Sequence, residues 1–145
     1  AKFILAIRHP CDCVLSCFMQ NFHLNDSMAN FLNIEDSSEM YNLVMTLWKH
    51  YEKLNINYQI VKYEDIVQNF EKTTEGLLSF LKVPWTDNVL KFYEVAQSRN
   101  LINTPSYDQV YRPIYSESAY RWKKYENKIK PILPILKPWI NEFNY

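Results

Sequence analysis

The sequence predicts an α/β fold, a layer with a parallel strand pair and crossover helices. Three observations predict it. Lys2–Ile7 (KFILAI) is a continuous apolar run that ends at a charged Arg8, and Tyr58–Tyr63 (YQIVKY) reads as a second strand. Helical stretches follow each of them, the order that parallel strands with crossovers require. Hydrophobic residues make up 48% and aromatics 16% of the 145 residues, enough for a sizeable core and too many for a disordered chain.

Element by element, Lys2–Ile7 has the pattern of a strand buried on both faces. His9-Pro10 breaks it, and Asp12 is placed to cap a helix running to about Phe22. A loop from His23 to Ser27 precedes a short apolar segment, Met28–Leu32. Asp36 with Glu39 resembles a capping box. The helix behind it aligns Met40, Leu43, Val44, Leu47, Tyr51 and Leu54 in one apolar stripe, which predicts a core-facing side, and Asn55–Asn57 ends it. After the second strand, Glu64-Asp65 leads into a helix from about Val67 to Leu81 with Phe70, Leu77, Leu78 and Leu81 inward. Pro84 stops it, and Asp87 starts another helix to about Gln97. Residues 100–117 read as a loop with Pro105 and Pro113. A basic helix begins near Ser118, and Pro131, Pro134 and Pro138 forbid one long regular helix in the tail.

Composition narrows the function classes. Lys+Arg and Asp+Glu are both 16, so nothing electrostatic argues for general nucleic-acid binding. Residues 1–72 carry a charge of −3 and residues 73–145 a charge of +3. No apolar run is long enough to span a bilayer, and no secretory n-region or h-region is present. The single glycine, Gly76, lies in a helical stretch, so residues 1–145 hold neither glycine-rich phosphate motif. The chain starts at Ala1 directly in a strand, which suggests a piece of something longer. Cys11, Cys13 and Cys17 lack zinc spacing and read as unreactive buried thiols of a reducing compartment, with a cytoplasmic location as the corresponding expectation.

Chemistry in such folds sits beyond the carboxyl ends of the strands. There, Arg8 offers a fixed cation, and Ser16 offers a hydroxyl from the following helix. Together with a helix N-terminus they can form a phosphate site. The same residues also fit a purely structural role, with Arg8 paired to Asp12 and Ser16 as a small packing residue.

Four segments in order carry a family resemblance that reaches to about residue 126. Ala1–Ser16 (AKFILAIRHPCDCVLS) is similar to the sulfotransferase segment that grips the 3′-phosphate of the donor 3′-phosphoadenylyl sulfate (PAPS). Val61–Val67 (VKYEDIV) resembles the family's next strand and turn, and Phe80–Trp85 (FLKVPW) the helix end that follows. Thr104–Ile114 resembles the cofactor-covering loop, and Ser118–Tyr125 (SAYRWKKY) the Arg/Lys-Trp segment that closes it. The likeness is nearest to tyrosylprotein-type sulfotransferases and their bacterial relatives linked to tetratricopeptide repeats.

The resemblance implies a partial P-loop-type three-layer sulfotransferase fold, residues 1–145 being the carboxyl-terminal part of one domain that lacks its N-terminal strand–P-loop–helix. It implies that Arg8 and Ser16 hold the 3′-phosphate, that Tyr63 lies against the adenine, and that Arg121 returns to the 3′-phosphate. Ser106 matches the loop serine that touches the bridging or sulfonate oxygens and is the candidate catalytic residue. Tyr107, Asp108, Gln109, Val110 and Arg112 belong to the loop over the nucleotide. Where tyrosylprotein-type enzymes carry a further arginine, this chain has Gln20, which shifts weight to Arg121.

The implied reaction is in-line transfer of a sulfonate from PAPS to an acceptor hydroxyl or amine, leaving 3′-phosphoadenosine 5′-phosphate (PAP) and using no metal. The 5′-phosphosulfate loop, the transition-state lysine and the acceptor-activating base of the family lie upstream of the segment matched here. The 145 residues alone are therefore expected not to transfer sulfonate. His9 is expected to be structural, and His23 and His50 have no motif around them. The expected partners are PAPS, an acceptor of unknown class and an upstream repeat domain. A nucleoside-kinase-like phosphotransferase and a non-catalytic nucleotide-binding fragment remain the alternative classes.

Overall fold

The computed structural model describes the backbone of residues 1–97 and 114–145, and the side chains of 1–94 and 114–145. Two strands, β1 (Lys2–Ile7) and β2 (Asn57–Lys62), pair in parallel, in register from Lys2 opposite Asn57 to Ile7 opposite Lys62. The crossover between them holds α1 (Pro10–Met19), a 3-10 turn (Met28–Phe31) and α2 (Ile34–Glu52). After β2 come α3 (Tyr63–Gln68), α4 (Phe70–Leu81), a 3-10 turn (Asp87–Lys91) and α5 (Phe92–Gln97). The C-terminal segment winds through a 3-10 turn (Arg121–Tyr125), α6 (Glu126–Ile129), a 3-10 turn (Lys130–Ile132) and α7 (Leu133–Glu142). This is a mixed helix–strand fold around a small parallel sheet, as the strand and helix order predicts.

Local starts and stops differ from the sequence expectations in instructive ways. α1 is capped by His9, not Asp12: the His9 imidazole accepts the Cys11 N–H at 3.3 Å, and Pro10 supplies the first helical residue. Asp12 thereby falls inside the first turn and is buried. α2 begins three residues earlier than Asp36 would place it. Asn33 is its cap, accepting the Asp36 N–H at 2.7 Å and donating to the Asp36 carboxylate at 2.6 Å. The single helix expected over Val67–Leu81 is two helices, α3 and α4, broken at Asn69, whose φ of −143° and ψ of 62° are not helical. β2 is displaced by one residue from the expected strand, so that Tyr63 opens α3. The segment near Ser118 is a 3-10 turn and a short helix, and in the tail Pro131 and Pro134 sit in the first turns of the 3-10 turn and of α7, while Pro138 lies in the interior of α7.

With one glycine in the chain, left-handed turns fall to other residues: Asn55, Lys82, Tyr120 and Asn144 all have positive φ. Lys82 closes α4 at φ 62°, while the Val83 N–H reaches back to Leu78 O at 2.9 Å.

The core is built at one end of the sheet. Ile7, Cys11, Val14 and Leu15 pack with Tyr41 of α2 and with Ile129, Ile132, Leu136, Trp139 and Phe143 of the C-terminal segment. Each fully buried aliphatic side chain among them contributes about 1.5–3 kcal/mol. Trp139 also satisfies its indole N–H on Asn42 Oδ1 at 2.9 Å. Two packing expectations fail. β1 is not buried on both faces, since Phe3 and Ile4 are exposed and only Ile7 is buried. The α2 stripe of Leu43, Val44, Leu47, Tyr51 and Leu54 faces outward, and Met40 is only half-buried. The buried side of α2 is Ser37, Ser38 and Tyr41, where small residues let the helix approach α1. Of the residues expected inward on the helix after β2, Phe70, Leu77 and Leu78 are half-buried and Leu81 is exposed.

Candidate functional site

Beyond the carboxyl end of β1 lies a cleft of about 200 Å³. Arg8, Ser16 and Arg121, separated widely in sequence, all line it. Gln20, Ser118 and Asp12 complete its polar wall, while Leu15 and Met19 form the apolar side. Arg8 enters because β1 ends there and the Pro10 turn sends the chain into α1. Ser16 lies one turn beyond Asp12 on that helix, and Gln20 is its C-cap. Arg121 enters because the C-terminal segment folds back over α1.

Arg8 is held on several sides. Its Nη2 donates to the backbone carbonyl of Ser118, and its guanidinium lies over the Tyr63 ring, 5.1 Å from the centroid. It also stands 3.9 Å from Asp12 Oδ1, at the outer limit of an ion pair, so the structural pairing considered for Arg8 and Asp12 is present but loose. Arg8 Nε is buried with no acceptor among the described residues. Two arginines against one carboxylate give the cleft a cationic lining that suits an anion.

Tyr63 stands behind Arg8 rather than in the cleft wall, and its hydroxyl donates to Tyr115 O at 3.5 Å. Burial pushes its phenol pKa above the usual value. Ser106, Tyr107, Asp108, Gln109, Val110 and Arg112 lie outside the described residues.

His9 anchors the wall behind the cleft. Its backbone N–H donates to Glu64 Oε1 at 2.9 Å, and Glu64 Oε2 accepts the Tyr145 hydroxyl at 2.8 Å. One buried carboxylate therefore ties the end of β1 to α3 and to the C-terminal residue. The His9 ring stacks on Trp122 at 5.0 Å and meets the rings of Tyr120 and Tyr145 edge-on. Burial lowers its pKa to about 4, against the pull of Glu64. A neutral, buried ring that caps a helix has the structural role expected for it from sequence.

The thiols divide. Cys11 is buried, and burial pushes its pKa up to about 12. Cys13 and Cys17 are only half-buried, so the expectation of three buried, inert thiols holds for Cys11 alone. A hydrogen bond with Cys13, helped by Arg8 and opposed by burial, lowers Cys17 to about 7 and raises Cys13. Among the described residues no group of three His, Cys, Asp or Glu side chains is arranged to hold a metal ion, and no helix is long and apolar enough to cross a membrane.

Sequence reasoning placed Arg8, Ser16 and Arg121 in one site, and the fold brings them to one cleft. It missed the Ser118 carbonyl, for which side-chain chemistry gives no signal, and it placed Asp12 at a helix start instead of in the cleft wall. Comparison with known proteins finds a family model described as "Sulfotransferase family" matching residues 1–87, the stretch that holds β1, α1, β2 and α4. A protein of Aquifex aeolicus (strain VF5), described as uncharacterized, is 29% identical over 140 residues, covering 94% of this chain. The chain spans 18% of the length of that relative.

Proposed function

The chain belongs to the sulfotransferase family, whose members transfer sulfonyl groups, and from that premise we propose that it forms the 3′-phosphate and adenine side of a PAPS site. On this reading residues 1–145 are the carboxyl-terminal part of one sulfotransferase domain, and the acceptor is a hydroxyl or amine. The observation that carries it is the meeting of Arg8, Ser16 and Arg121 in one cleft.

When bound, PAPS supplies the activated sulfonate, and the residues of this chain bind and orient it. Arg8, already fixed by the Ser118 carbonyl and the Tyr63 ring, loses little further freedom when it takes up a phosphate, so its charge-assisted contact is retained nearly whole. Arg121 brings a second cation from the C-terminal segment, while Gln20, at the end of α1, provides only a neutral amide. Ser16 adds a neutral hydrogen bond. Ser106, Tyr107, Asp108, Gln109, Val110 and Arg112 are proposed to cover the nucleotide, Ser106 reaching toward the sulfonate. A cleft of about 200 Å³ suits a phosphate group with part of its ribose, not a whole nucleotide.

The test is calorimetric titration of the full-length protein with PAP and with adenosine 5′-phosphate (AMP), which differ by the 3′-phosphate alone. A charged hydrogen bond is worth about 1.5–3 kcal/mol and a neutral one about 0.5–1.5. Arg8→Ala should therefore weaken PAP binding about 10- to 150-fold and Ser16→Ala about 2- to 13-fold, with preference for PAP over AMP lost in Arg8→Ala. Equal or reversed losses would remove the assignment.

A further inference from the structure

The two arginines of the cleft come from segments far apart in the chain, and a buried carboxylate lies between them. Asp12 Oδ1 accepts the backbone N–H of Trp122 at 2.7 Å, across 110 residues of sequence. Trp122 directly follows Arg121, and the Asp12 side chain, fully buried, also stands 3.9 Å from Arg8 Nη2. On the other side of Arg121, Tyr120 holds φ 55° and ψ 26°, a left-handed conformation that is unfavourable for an aromatic residue. Such a conformation persists only where its surroundings over-determine it. Here they do: the Arg8 side chain grips the Ser118 carbonyl two residues before Tyr120, and Asp12 grips Trp122 two residues after it.

We propose that Asp12 is a positioning residue for the anion site, holding the Arg121 turn against α1 so that the exposed Arg121 lines the same cleft as Arg8. The assignment rests on the reading of this cleft as the 3′-phosphate site. Asp12 acts through its acceptor oxygen, not through its charge. A full negative charge in the wall of an anion site opposes the ligand, and Asp12 Oδ2 has no partner among the described residues. Asp12→Asn keeps an acceptor for the Trp122 N–H and removes the charge, whereas Asp12→Ala removes the tie.

The experiment measures affinities for PAP and AMP in the full-length protein and reads their ratio, which a general loss of structure does not move selectively. Asp12→Ala is expected to lower the preference for PAP about tenfold, in the same sense as Arg121→Ala. In an Arg121→Ala background it should lower it by no more than about twofold, because the two act as one unit. Asp12→Asn should keep the preference within about threefold of the parent. If Asp12→Ala does not fold, a backbone ester at Trp122 deletes only the donated N–H and should reproduce the tenfold loss with Asp12 intact. An unchanged ratio in Asp12→Ala or in the ester, or full additivity with Arg121→Ala, overturns the positioning role. If the parent does not distinguish PAP from AMP, or Arg121→Ala leaves the ratio unchanged, the phosphate reading of the cleft fails and the assignment falls with it.

Discussion

At the carboxyl end of β1, Ile7, Cys11, Val14 and Leu136 are between 0% and 6% exposed, while on the outer side of α2 Leu43, Val44 and Leu47 are 63%, 49% and 49% exposed. The second reads as an apolar stripe in the sequence, and the first only through the apolar run that ends at Ile7. The difference is in what lies opposite. Over the first, the C-terminal segment folds back and closes a core. Over the second, the described residues leave the side chains about half exposed or more. Apolar periodicity identifies a face that repels water, but it does not say which element covers it. The cleft sits at the closed end, where the Arg8 side chain is set by the Ser118 carbonyl and the Tyr63 ring, and the turn that carries the exposed Arg121 is tied down next door by Asp12 and Trp122. A charge-bearing site needs such a frame, because a loosely held arginine spends its binding energy on ordering itself.

The largest effect that would break this contrast is at Leu136. It is fully buried between α1 and α2, and Leu136→Ala should cost about 2–5 kcal/mol of stability in denaturant unfolding. A loss below 1 kcal/mol would mean that the C-terminal segment does not close the core.

The next concerns the wall behind the cleft and reads it through pH. Burial lowers the His9 pKa from 6.5 to about 4, so the folded state holds the ring neutral where the unfolded chain would protonate it. The stability this represents is present above pH 6.5 and is lost as the pH falls through 4. Its size is roughly 3 kcal/mol. Asp12, raised by burial, acts in the opposite sense: its contribution is present below the unfolded carboxylate range and is lost as the pH rises through its folded value. Nuclear magnetic resonance separates the two by following the His9 ring directly. A midpoint near 4 is expected, and one between 6 and 7 would place His9 in solvent and open the wall.

The smallest effect sharpens the other side. Leu47→Gln on the outer face of α2 should change stability by no more than about 0.5 kcal/mol, since an exposed helical position far from the core carries little packing. A loss above 1 kcal/mol in the full-length protein would show that another segment or partner covers this face. The region would then belong with the core rather than in contrast to it.

How far the sequence alone reaches is clearest at the residues themselves. Strand β1, its break at His9-Pro10 and the helix after it follow from an apolar run and a proline, which act within a few residues. The parallel pairing follows from the order of elements, because a strand pair separated by helices has little other choice. Arg8, Ser16 and Arg121 were legible as a set only through family resemblance, since nothing in local chemistry links position 8 to position 121. The helix caps were misjudged for a related reason. Asp12 and Asp36 are good caps by type, but His9 and Asn33 occupy the geometry, and which acceptor reaches a free N–H is decided by the turn before the helix.

The sequence by itself determined the order of strands and helices, the apolar character of the α2 stripe and the presence of a fixed cation at a strand end, because backbone sterics, side-chain polarity and charge are local properties. Only the tertiary structure decided which apolar surface became core, that Asp12 would be buried against Trp122, and that two arginines from distant segments would share one cleft. Those outcomes depend on which surfaces meet when the C-terminal segment folds over α1, and contact between distant residues is a property of the whole chain's packing and not of any window along it.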